Sequence, residues 1–86
     1  SGTALDADFL YDNREDAAEL QRKMVENSDR LIVVADSAKL GGKALCRSVD
    51  AGRISLLITD FEPRKHPVVA ALRKRGVRVL VLSIPE

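Results

Sequence analysis

What this chain has little of narrows the field first. It contains no tryptophan, two phenylalanines and one tyrosine, so it offers no row of rings on which single-stranded bases could stack. Its one cysteine, Cys46, cannot close an intrachain disulfide, and with one histidine, His66, there is no Cys/His set for zinc. A reducing, cytoplasmic setting is therefore expected, without metal or cofactor. No apolar run approaches the roughly 18 residues of a membrane span, and no signal peptide opens the chain, so no membrane partner is expected. Fourteen basic residues against thirteen acidic leave +1, which gives no domain-wide attraction to nucleic acid or anionic lipid.

What is present is ordinary for a folded chain: 86 residues, 45% hydrophobic and 31% charged, enough for one small domain or part of a larger one. Ser1-Gly2 reads as a cloning remnant, which would put the natural start earlier. Residues 1–12 read as that remnant followed by an arm or edge strand around the apolar Phe9-Leu10-Tyr11, and residues 13–86 as the domain proper.

Hydrophobic periodicity supplies the elements. Asp12-Asn13 offers a helix N-cap, and Glu15 and Asp16 suit the positive end of the helix dipole. Ala17, Leu20 and Met24 then form a stripe flanked by Ala18, Gln21 and Val25, an amphipathic helix ending near Asn27-Ser28. With that stripe packed, Met24→Ala should cost about 2 to 5 kcal/mol. Leu31 to Val34 is a continuous apolar run that fits a strand buried on both faces. Lys43 to Val49 is short and fits either a brief helix or an extended piece. Ile54 to Thr59 gives a second buried strand stopping at Asp60. Pro67 fits the first turn of a second helix whose apolar positions are Val68, Val69 and Leu72; Arg73, Lys74 and Arg75 complement its carboxyl end, and Gly76 stops it. Val77 to Ile84 is the third strand. Such alternation predicts an α/β, Rossmann-like, mainly parallel sheet of about three strands with two to three helices. So thin a sheet needs completion by residues outside the chain, by another copy in a homo-oligomer, or by the segments at Phe9 and Leu45.

The candidate site follows the first apolar run. Asp36, Ser37 and Lys39 place a carboxylate, a hydroxyl and an ammonium just past a strand's carboxyl end, where open α/β sheets bind ligands, and parallel pairing brings Asp60 to the same rim. Lys39 beside Gly41-Gly42 suits a phosphate or carboxylate, and the two carboxylates suit sugar hydroxyls; together they describe a phosphosugar. An Asx-type turn closed by Asp36 is the purely structural alternative. Cys46 reads as a small buried apolar residue and His66 as a solvated helix-start residue.

The stretches EDAAELQRKMVENSDRLIVVADSAKLG (Glu15–Gly41), ISLLITD (Ile54–Asp60) and RKRGVRVLV (Arg73–Val81) occur in that order. In this the chain resembles the carboxyl-terminal sensor domain of the DeoR family of bacterial transcriptional repressors, which shows a strand running into D-S-S-K-F-G and a later one ending I-T-D. Leu40 stands where that family usually has an aromatic. The resemblance implies half of a sensor domain with a fold similar to ribose-5-phosphate isomerases but without their catalysis. It makes Lys39 the lysine contacting a phosphorylated sugar or related metabolite, with Asp36 and Ser37 shaping its loop and Asp60 a polar neighbour on the rim. DNA would be contacted only by a winged helix-turn-helix outside this chain. Two alternatives are an aldose-ketose isomerase with a rim carboxylate as general base, which no complete isomerase motif supports, and an oligomerisation module.

Overall fold

Two short three-stranded sheets organise the chain, where the sequence pattern predicts one. A computed structural model describes residues 3–83; Ser1-Gly2 and the strand end at Ile84 lie outside the described residues. The order is β1 (Thr3–Leu5), β2 (Phe9–Asp12), α1 (Glu15–Glu26), β3 (Ile32–Val34), β4 (Cys46–Asp50), β5 (Leu56–Asp60), α2 (His66–Lys74) and β6 (Arg78–Leu82). One sheet is antiparallel, ordered β1-β2-β4, and the other is parallel, ordered β3-β5-β6. The protein is thus a small α/β fold whose parallel sheet matches the three predicted apolar runs, but that sheet holds only half of the strands.

The antiparallel sheet corrects one reading and decides between the alternatives of another. Phe9-Leu10-Tyr11 is neither arm nor edge: it lies in the middle strand, paired to β1 on one side and β4 on the other. The segment after Lys43 is extended as β4. A tight turn explains why so short a hairpin holds. The Asp6 carboxylate accepts the backbone N–H groups of Asp8 and Phe9, both at 2.8 Å, satisfying donors that the reversal would otherwise orphan. Lys43 Nζ (2.7 Å) and the Tyr11 hydroxyl (2.9 Å) donate to the other carboxylate oxygen.

Helix α1 packs on β4 and β2, but on a different face from the one its apolar residues suggest. Ala18 and Val25 are buried, whereas Leu20 and Met24 are each 60% exposed. The reason is polar. Gln21 sits on the buried face, where its amide donates to Asp12 and accepts from Ser48, and Arg22 donates to the Arg47 carbonyl. Pairing with β2 shifts register between Leu10 and Tyr11, leaving Ser48 as the extra residue of the bulge, and its buried hydroxyl meets Gln21. The helix N-cap is Arg14, without a side-chain cap; Asp12 instead accepts the Arg14 N–H. Cys46 is half-exposed rather than buried, and the neighbouring Glu15 carboxylate raises its thiol pKa above the ordinary value.

The main core lies where β1, α2 and one face of the parallel sheet meet. Leu5, Leu40, Ile54, Leu57 and Leu72 are its fully buried large side chains. On that face Val33, Leu57, Val79 and Val81 point inward, and alternation turns Ile32, Val34, Leu56, Ile58, Leu80 and Leu82 to the other. Val34 is 75% exposed, so β3 is an edge strand with one open apolar face, contrary to the expectation of burial on both. Helix α2 follows its sequence closely: Val69 and Leu72 are buried, Pro67 lies in the first turn, and Gly76 adopts φ +91° just past the end. Arg73 and Arg75 are taken up internally, by the Val79 carbonyl and by Asp50 and the Ala7 carbonyl.

Candidate functional site

Parallel pairing of β3 with β5 puts their carboxyl ends side by side, so Asp36 and Asp60 stand on one rim. Past β3 the chain makes one 3-10 turn, Ser37–Lys39, for which Asp36 is the N-cap: its carboxylate accepts the Ala38 N–H at 3.0 Å. The Asx-type turn is therefore present. A second contact does more. Asp60 reaches across from the end of β5 and takes both donors of Ser37, the backbone N–H at 2.6 Å and the hydroxyl at 3.0 Å. These bonds stabilise the charged carboxylate, and first the backbone N–H and then the hydroxyl hold the Asp60 pKa below the ordinary aspartate value.

The turn is also fixed from behind. Leu40, 1% exposed, is driven into the core and forms a parallel bridge with Leu5, and the Gly41 N–H donates to the Leu5 carbonyl at 2.8 Å. Gly41 has φ +85°, and a Cβ there would meet Val68 Cγ2 at 3.3 Å, so the chain leaves the site through a bend that favours glycine. Leu40 is thus a residue of the main core.

Two of the cavities that border the rim have Asp36 or Ser37 in their walls. One, of about 450 Å³, opens over the sheet edge between Asp36 and Asp60, with Val34, Ile58 and Leu82 as apolar walls. The other, of about 540 Å³, is lined by Ser37, Ala38, Glu62, Arg64 and Lys65. Of the four residues singled out in the sequence, Ser37 and Asp60 touch and Asp36 adjoins them. Lys39 ends the same turn, half-buried, and lines neither cavity. Lys65, which no motif in the sequence singles out, also belongs here: its ammonium donates to the Leu40 carbonyl at 2.7 Å. A signal was available there. Arg64, Lys65 and His66 put cationic residue types at the start of a helical stretch, where the dipole favours anions. His66 itself is exposed at the first residue of α2.

The arrangement provides carboxylate acceptors, a clamped hydroxyl and cations around one strand edge, and no group of three or more His, Cys, Asp or Glu side chains suited to a metal occurs among the described residues. Residues 1–61 match the DeoR C terminal sensor domain family. The chain belongs to that family. Relatives of this sensor-domain sequence carry concordant names. A protein named for transcriptional repression of the aga operon in Escherichia coli O157:H7 is 39% identical over 83% of the chain and 26% of its own length. From Bacillus subtilis (strain 168), the HTH-type transcriptional repressor GlcR is 32% identical over 84% of the chain and 28% of its own length. The uncharacterized HTH-type transcriptional regulator YulB of the same strain is 32% identical over 90% and 30%. The DeoR sensor sequence described here therefore spans less than a third of the curated relatives it matches. No solved structure matches it significantly. No helix among the described residues is long and apolar enough to cross a membrane.

Proposed function

We propose that this DeoR-family chain is part of the effector-sensing domain of a bacterial, cytoplasmic transcriptional repressor. In this reading its rim binds a phosphorylated sugar or similar small metabolite, and that binding changes the DNA affinity of a separate helix-turn-helix domain. The observation that carries the site is the Ser37–Asp60 clamp. It joins the ends of two adjacent parallel strands at the sheet edge where α/β folds bind ligands, and Asp36 and Asp60 face one cavity across it. Two carboxylates there accept hydrogen bonds from sugar hydroxyls, and lysine supplies the countercharge for phosphate. Lys39, at the end of the clamped turn, and Asp36, Ser37 and Asp60 are the effector-binding residues of this proposal.

The parallel sheet is read as part of a Rossmann-like, ribose-5-phosphate-isomerase-like domain in which residues 13–86 form the carboxyl-terminal half. Sheets of parallel strands are normally covered on both faces, and the open face of Ile32, Val34, Leu80 and Leu82 suits contact with the rest of such a domain or with another copy in a homo-oligomer. Regulation then requires only that effector affinity differ between two states of the sensor, and the size of that difference bounds the response.

The test is a thermal-shift screen of the intact protein against phosphosugars and their unphosphorylated counterparts, with a turnover assay on each compound that binds. Stabilisation by a phosphorylated compound without turnover supports a sensor. Turnover favours an isomerase, and silence across the panel removes the phosphosugar reading.

A further inference from the structure

We infer that Lys65, a residue outside the rim set read from the sequence, receives the anionic group of the effector in the cavity it shares with Ser37 and Ala38; this rests on the sensor reading above. Ser37 is poorly placed to hold an anion by itself, because both of its donors are already given to the Asp60 carboxylate. The cavity beside it, about 540 Å³, needs another donor, and Lys65 is the half-buried one. Its ammonium makes one hydrogen bond, to the neutral Leu40 carbonyl at 2.7 Å, and forms no ion pair with a described residue. Partly buried charges are ordinarily paired, and an ammonium has two further donors to give.

The other groups in the cavity sharpen this assignment. Glu62 also lines it, but its carboxylate is engaged by Arg64 Nε, which leaves the Lys65 charge as the surplus among the cavity's own side chains. Arg64 is 90% exposed and its charge is already met by Glu62, so it is an accessory rather than an anchor. Helical backbone begins at Pro63 and runs through α2, so cations here oppose the helix dipole. A bound oxyanion would relieve that opposition and meet the dipole favourably. Placed so, a sugar phosphate would direct its phosphate to Lys65 and its hydroxyls toward Asp36 and Asp60 across the clamp.

The experiment titrates the intact protein with inorganic phosphate and with ribose 5-phosphate by calorimetry at low salt, for wild type, Lys65→Gln, Lys65→Arg and Lys39→Gln, with thermal unfolding of each as a folding check. Loss of a charge-assisted contact predicts weakening of both titrants by at least about tenfold in Lys65→Gln, and retention within about threefold in Lys65→Arg, which keeps the charge. Wild-type binding that Lys65→Gln leaves unchanged overturns the assignment to Lys65 and leaves the sensor reading standing, as does Lys39→Gln abolishing binding while Lys65→Gln does not. Equal loss in Lys65→Gln and Lys65→Arg overturns it in favour of a structural tie to Leu40. Failure of wild type to bind either titrant overturns the subsite, and failure across the wider phosphosugar panel overturns the sensor reading with it.

Discussion

Truncating Leu40 to alanine probes the joint between the fold and the site. The side chain is 1% exposed and belongs to the cluster with Leu5, Leu57 and Leu72. The backbone bonds around it, from Leu40 N–H to the Ser37 carbonyl and from Gly41 N–H to the Leu5 carbonyl, do not depend on the side chain. Leu40→Ala therefore removes packing alone. A fully buried leucine replaced by alanine costs about 2 to 5 kcal/mol, the spread reflecting how far the walls collapse into the space. In a domain of this size that lowers Tm by on the order of 10 to 30 °C. Urea unfolding followed by far-UV circular dichroism should show a lower Cm at unchanged m. The comparison is Leu45→Ala, only five residues away but 86% exposed, which should stay within about 0.5 kcal/mol of wild type. A loss below about 1 kcal/mol for Leu40→Ala, or equal losses for the two variants, would mean that the turn carrying Ser37 is not anchored in the core, and would refute the reasoning.

Two further predictions concern the antiparallel half. Burial pushes the Asp6 carboxyl up, but Lys43, the Phe9 and Asp8 N–H groups and the Tyr11 hydroxyl outweigh it and bring the pKa to about 2. A depressed carboxyl stabilises the fold above its unfolded pKa of about 3.9 and loses that contribution as pH falls toward the folded value. Asp6→Asn should thus be less stable at neutral pH and flatter between about pH 4 and 2; parallel acid limbs in urea titrations of the two proteins would contradict this. On α1, Val25→Ala should cost about 1 to 3 kcal/mol and Met24→Ala under about 0.5 in this chain, by the same denaturation assay. The reverse order would restore the face that the apolar spacing alone suggests.

The parallel sheet and α2 were legible because their determinants are local: continuous apolar runs, Pro67 at a helix start and Gly76 past its end. Placement of Asp36 and Asp60 on one rim followed from parallel pairing alone. The antiparallel sheet was not legible, because β1 and β2 are only three and four residues long and gain their order from Asp6, Lys43 and Tyr11, which lie up to 37 residues apart in sequence. The face of α1 was misread for a related reason. Counting apolar residues selects Leu20 and Met24, whereas the helix is seated by Gln21 bonding to Asp12 and Ser48, and no periodicity reports a partnered polar residue. Lys65 belongs to no motif and so drew no reading, although cations against a helix dipole are a legible anomaly.

The most direct test of the central claim is backbone amide NMR of the intact protein during titration with the phosphorylated compound that gives the largest thermal shift. If the rim is the effector site, the amides of Ser37, Ala38, Asp60 and Lys65 move together and saturate with a single affinity, while those of Glu15–Glu26 stay in place. Saturable shifts confined to α1 or to the β1–β2 turn, with the Ser37 and Asp60 amides unmoved, would place the effector elsewhere and contradict the account.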